Sequence, residues 1–231
     1  MSAAQEWSAW RDSRTRKVRS PLGNLALIET RWNGDLTTES LEGALVGQPK
    51  TVQGTRIERR DFDGDLVDTG IRLWDGNSPA IQAFQGIDVF PFDPKWIIKG
   101  KFIPHAEAVP VPHEFIRDNG GTRDLAVPGD IQIEIEGKNY SLNAFDDEGT
   151  LLLVFADQTN GSESYAAGRF LVVHTDPGSD EITLNFNHAF VPPCGFSIHY
   201  NCPLPPPQNR IQRAIRAGEK NPIFAEGYEL H

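Results

Sequence analysis

The chain has 231 residues, with 22 Lys plus Arg against 32 Asp plus Glu, a formal charge of −10, 17 Pro, 21 Gly and 2 Cys. That balance argues against broad binding to a phosphate backbone, which needs clustered cations. The sequence has no apolar run near ~18 residues and no basic start followed by an apolar stretch, so neither a membrane span nor a secretory signal is expected and the cytoplasm is the default compartment.

Residues 3–17 lack Gly and Pro and space Trp7, Trp10 and Arg14 by three and four residues, which predicts a helix ended by Pro21 and Gly23. Arg11, Arg14, Arg16, Lys17 and Arg19 outweigh Glu6 and Asp12 there, too small an excess to make a nucleic-acid surface. Beyond the helix, short β-branched and aromatic runs closed by Asn, Asp, Gly or Pro predict strands over 25–32, 51–58, 70–74, 81–84 and 96–102. The alternation Ile131-Gln132-Ile133-Glu134-Ile135-Glu136 puts three isoleucines on one face of a further strand. Turns at 137–139, 146–149, 159–161 and 176–178 separate strands expected over 140–145, 151–155, 169–174 and 182–186. A short helix over 209–217, stopped by Gly218, is the last element expected.

The expected fold is therefore mainly β: a single-domain antiparallel sandwich or partly closed barrel, with residues 1–20 as a helix packing on the core and 21–231 as one domain capped by a Pro-rich segment. The common chemical motifs fail on spacing. No two glycines stand at i and i+2, and neither a Gly-Lys-Ser/Thr loop nor a G-x-S-x-G elbow occurs. His113-Glu114 opens like a zinc-protease helix, yet Arg117 occupies the second histidine position and Pro110 and Pro112 oppose a helix. Asp61, Asp63 and Asp65 imitate a calcium loop whose glycine falls at the fourth place, two early, and whose twelfth residue is Arg72.

The tail carries more. His188, Cys194, His199 and Cys202 are weak candidates for a metal site, because their H-x5-C-x4-H-x2-C spacing fits no standard finger. A disulfide between the cysteines and two buried thiols under a Pro-fixed cover are the alternatives. No cofactor is expected.

The run Asn185-Phe186-Asn187-His188-Ala189-Phe190-Val191-Pro192-Pro193-Cys194, followed by Cys202-Pro203-Leu204-Pro205-Pro206, Asn209-Arg210 and Ala217-Gly218-Glu219, resembles the signature of domain-of-unknown-function family 1684. Asp157, Thr159, Tyr165, Gly168 and Arg169 resemble an upstream block of that family, and 70–75 an earlier one. The resemblance implies no activity. Where the family's block has Asp and Arg this chain has Asn185 and His188, which makes a shared metal site on His188 unlikely and removes a carboxylate from position 185.

Two explanations compete for the polar residues of these blocks. Asp157, Tyr165 and Glu219 are candidate proton-transfer groups, and Arg72, Thr159, Arg169, Asn187, Asn209 and Arg210 candidate ligand contacts, for a small polar or anionic metabolite held between the β core and the Pro-rich segment. Phe84, Phe90, Trp96, Phe186, Phe190 and Phe196 are its candidate apolar lining. Alternatively the same polar side chains satisfy backbone groups in a loop-rich cover, and the chain is a non-catalytic β interaction module or structural homodimer. Neither nucleic acid nor membrane is an expected partner.

Overall fold

The computed structural model describes residues 2–33, 40–147, 149–176 and 178–230; Glu148 and Pro177, both in expected turns, lie outside these. Helix α1 (Ala3–Val18) forms where the Gly- and Pro-free stretch predicts it. It is the longest helix among the described residues, and none is long and apolar enough to cross a membrane. The remainder is mainly antiparallel strand, and among the described residues no sheet closes into a barrel. Contacts sort the chain into two compact units. One comprises Met1–Trp10, Ile87–Pro192 and Asn201–Asn221, the other Arg11–Gly86, Pro193–Tyr200 and Pro222–His231.

The first unit contains β5 (Ile97–Glu114), β6 (Thr122–Ile135), β7 (Lys138–Asn143), β8 (Phe145–Asp147), β9 (Thr150–Phe155), β10 (Arg169–Val173) and β11 (Glu181–Asn185). They form a four-stranded sheet, β11-β5-β6-β7, and a three-stranded one, β10-β9-β8. Ile131, Ile133, Ile135 and Leu142 of the first sheet share one core with Leu151, Leu153, Phe155, Leu171 and Val173 of the second. Each such side chain contributes about 1.5–3 kcal/mol on burial. This is sandwich packing, and the period-2 alternation over 131–135 is its sequence signature. All of 151–155 is buried because β9 is the central strand of its sheet.

The β5–β6 hairpin extends well beyond the expected strand. After Lys101, where β11 ends its pairing, β5 carries Pro104, Pro110 and Pro112 with an irregularity between Pro104 and Val109. Prolines within a run argue against a central strand. These remove donors from a strand that no further strand covers.

The second unit contains β1 (Leu27–Trp32), α2 (Leu41–Ala44), β2 (Val52–Arg60), β3 (Leu66–Asp75) and α3 (Pro79–Ala83). Its sheet has the order β1-β3-β2, with Ala44, Val52, Ile71 and Leu73 buried together. Here the structure corrects one expected element: of residues 81–84, the first three are helical and only Phe84 is in a strand. Ser78 accepts a hydrogen bond from the Ile81 amide and Pro79 occupies the first helical turn, so α3 forms and passes directly into β4 (Phe84–Val89). The strand β12 (Glu219–Phe224), which pairs with β4, was not expected at all.

Candidate functional site

The candidate proton-transfer residues Asp157 and Glu219 meet Arg169 in the interior of the first unit. Arg169 opens β10, immediately after Gly168, and is fully buried. Its Nη2 donates to Asp157 Oδ2 at 2.6 Å and to the Ile215 carbonyl at 2.8 Å; its Nη1 donates to the carbonyls of Ala217 and Glu219. The guanidinium also lies over the rings of Phe155 and Phe90, with its carbon 5.4 and 5.7 Å from their centroids. Burial lowers the arginine's proton affinity, and the Asp157 charge opposes that shift. Asp157 Oδ1 accepts from the amides of Thr159 and Ile215, and Glu219 Oε2 accepts from the amide of Val191.

These bonds give residues 211–219 a course other than a helix. The expected helix over 209–217 is absent: the Ile211 amide donates to the Ala156 carbonyl, the Gln158 amide to the Arg213 carbonyl, and the carbonyls of Ile215 and Ala217 are taken by Arg169. A helix would need the Arg213 carbonyl for the amide four residues on, whereas those of Ile215 and Ala217 would stand in its open last turn. Gly218 then turns the chain at φ +78°, where an added Cβ would collide with the carbonyls of Phe186 and Ala189. Gly218→Ala is expected to lower stability by about 1–3 kcal/mol, seen as a lower urea midpoint at unchanged slope.

The asparagines act in the same way. Asn209 is fully buried; it accepts from the Asn143 amide and donates to the carbonyls of Asn143 and Val154. Asn187 accepts from the Asp93 amide and donates to the Asp93 carbonyl. The Thr159 hydroxyl is bonded to that of Ser164. Tyr165 is half-buried, its amide donating to the Lys220 carbonyl, and Arg210 is exposed. Arg72 lies in the second unit, so the nine expected site residues do not form one cluster. The Pro-rich segment is ordered: Pro203 bridges to Phe115, Pro205 and Pro206 are buried, and a Cβ on Gly168 would strike the Pro205 ring.

Cys194 and Cys202 are buried thiols, not a disulfide. His188 and Cys202 belong to the first unit and Cys194 and His199 to the second. Among the described residues no three His, Cys, Asp or Glu side chains are grouped as a metal requires. The aromatic side chains expected as lining mostly pack on one another: Trp96 and Phe155 against Phe186, and Phe84 against Phe196 and Phe224.

One groove of the first unit lies away from this network. A groove of about 500 Å³ is walled by Trp10, Lys99, His174, Asp176, His188 and Phe190, over Leu171 and Ile182. The rings of Trp10 and His188 stack at 4.9 Å with 18° between their planes. His188 Nε2 is buried and has no hydrogen-bond partner. Burial holds the imidazole below its ordinary pKa, with Glu6 pulling weakly the other way, so it is neutral at neutral pH. Lys99 Nζ donates to Thr183 Oγ1 at 2.8 Å on the same wall. Of these residues His188 and Phe190 stood among the candidates read from sequence, His188 as a metal ligand and Phe190 as apolar lining. Trp10 and His188 are separated by most of the chain, so spacing carried no signal.

The model of a family described as "Protein of unknown function (DUF1684)" matches residues 82–220. That span holds the Asp157–Arg169–Glu219 network and the groove residues other than Trp10; the block at 70–75 lies outside it. An uncharacterised protein of Haloarcula marismortui, whose structure was solved in solution by NMR, is 32% identical over 59% of this chain and 77% of its own, with a TM-score of 0.49. No curated protein matches the chain.

Proposed function

We propose, from the premise that this chain belongs to DUF1684, a family of proteins of unknown function, that it binds a small polar or anionic metabolite in the groove walled by Trp10 and His188. The observation that carries this reading is His188 Nε2, a buried ring nitrogen without a partner inside a groove of ligand size. A neutral imidazole supplies a directional hydrogen bond, Trp10 and Phe190 supply apolar surface, and Lys99 and His174 stand where an anionic oxygen is accommodated. Asp176 and Glu181 on the same rim receive hydrogen bonds from hydroxyl or amino groups, which favours a ligand carrying donors as well as acceptors.

Arg169, Asn187 and Asn209 serve this reading indirectly. Their bonds run to the protein's own chain, and Asn187, bound to the Asp93 backbone, fixes the segment from which its neighbour His188 projects. The residue carrying most of the binding is therefore His188.

A thermal-melt survey with sugars, small carboxylates and nucleosides tests the proposal. One class is expected to raise the melting temperature by about 5–10 °C at a hundred times its Kd, and His188→Ala is expected to abolish that rise while the ligand-free protein still melts cooperatively. If no class stabilises the protein, or the variant responds as the wild type does, the groove is not the binding site.

A further inference from the structure

We infer that the second unit carries a separate carboxylate-binding site, built across its three-stranded sheet around Arg72. In β3 Arg72 is paired directly with Thr30 of β1 and with Thr55 of β2. Directly paired residues of neighbouring strands project from the same face with their Cβ atoms about 5 Å apart, so the guanidinium stands between two hydroxyls. Trp74, two residues along the same strand, donates Nε1–H to Thr55 Oγ1 at 2.8 Å. That bond uses a lone pair of the hydroxyl and leaves its proton to be donated.

The guanidinium is held by its flat face. Its central carbon lies 5.1 Å from the centroid of the Tyr200 ring and 6.0 Å from that of Trp74, and both rings are themselves largely buried. Such stacking fixes the plane and leaves the N–H edge for a ligand. Two polar atoms at this place lack a partner: Arg72 Nε and Thr30 Oγ1 are both shielded from solvent and neither is hydrogen-bonded. The buried Arg169 has its two Nη groups bonded to Asp157 and three carbonyls, although its Nε likewise has no partner. No carboxylate of the described residues pairs with Arg72, although nearby Arg31 and Arg59 have Glu29 and Asp68.

A shielded guanidinium N–H costs free energy unless an acceptor meets it. The geometry selects the class. Nε and one Nη of an arginine present two parallel N–H groups that match the two oxygens of a carboxylate, and the hydroxyls of Thr30 and Thr55 flank that pair. A single cation with two neutral donors suits one negative charge better than the two of a phosphate. The site is independent of the groove in the other unit.

The test is a titration of the full-length, 15N-labelled protein with sodium acetate, following the arginine Nε–H resonances, with sodium chloride at equal ionic strength and inorganic phosphate as parallel arms. Acetate is expected to shift one Nε–H resonance saturably, with a Kd of the order of 1 mM for so small an anion, and that resonance is expected to vanish in Arg72→Lys. Thr30→Val, which leaves the arginine in place, is expected to weaken acetate about tenfold. The proposal is overturned if acetate causes no saturable shift, if chloride reproduces the shift, if the shifting resonance survives in Arg72→Lys, or if Thr30→Val binds as the wild type does. Saturation by phosphate with none by acetate overturns the carboxylate assignment.

Discussion

Arg169→Met is expected to lower the stability of the protein by about 3–5 kcal/mol, a fall in melting temperature of roughly 6–20 °C at this chain length. The substitution keeps much of the apolar stem and removes the charge. Asp157 is then left as a buried carboxylate without its cation, and the carbonyls of Ile215, Ala217 and Glu219 lose their donor. Those carbonyls have no helix to fall back on, because residues 210–218 run irregularly. Asp157→Asn is also expected to destabilise, since its NH2 must face either the guanidinium of Arg169 or the amides of Thr159 and Ile215, donor against donor. The double variant is expected to lose less than the sum of the two, with a coupling of about 0.5–3 kcal/mol for residues in one network. Melting curves of the four proteins measure this cycle. If Arg169→Met melts with the wild type, the arginine does not hold the C-terminal segment and its donors are open to a ligand.

The second large effect is expected at Asn209. Its side chain serves three buried backbone groups at once, the amide and carbonyl of Asn143 and the carbonyl of Val154. Asn209→Ala leaves all three without partners, and a buried unmet polar group costs about 1–3 kcal/mol, so a loss of about 3 kcal/mol or more is expected. Asn209→Asp is expected to be no rescue, because a carboxylate accepts from the Asn143 amide but cannot donate to either carbonyl. Urea unfolding decides: a midpoint shift at constant slope is the expected outcome, and an unshifted midpoint in Asn209→Ala removes the clamp role. Neither Asn209 nor Arg169 touches the groove, so both variants separate the stability of the unit from its ligand response.

The blocks that carry the family resemblance thus meet in part for a backbone reason. Pro-rich and irregular segments lack the ladder that satisfies a strand, and side chains that bond the backbone take its place. Asp157, Arg169 and Glu219 lie far apart in sequence and converge because one arginine presents several donors to one turn of chain.

The sequence by itself determined the elements whose causes are local. The Gly- and Pro-free stretch became α1, the isoleucine alternation became the inner face of β6, and the Thr159-Asn160-Gly161 turn closed where its residues favour one. Local pattern erred at 81–83, where a Ser cap and a following Pro outweighed β propensity, and at 209–217, where a helical composition met backbone bonds to Ala156 and Gln158 instead. Only the tertiary structure decided which polar side chains are spent and which are open. A guanidinium or imidazole has the same composition in both cases; what differs is whether a chain segment distant in sequence brings it a partner. For the Nη groups of Arg169 and for Asn209 it does, and for Arg72 Nε and His188 Nε2 it does not.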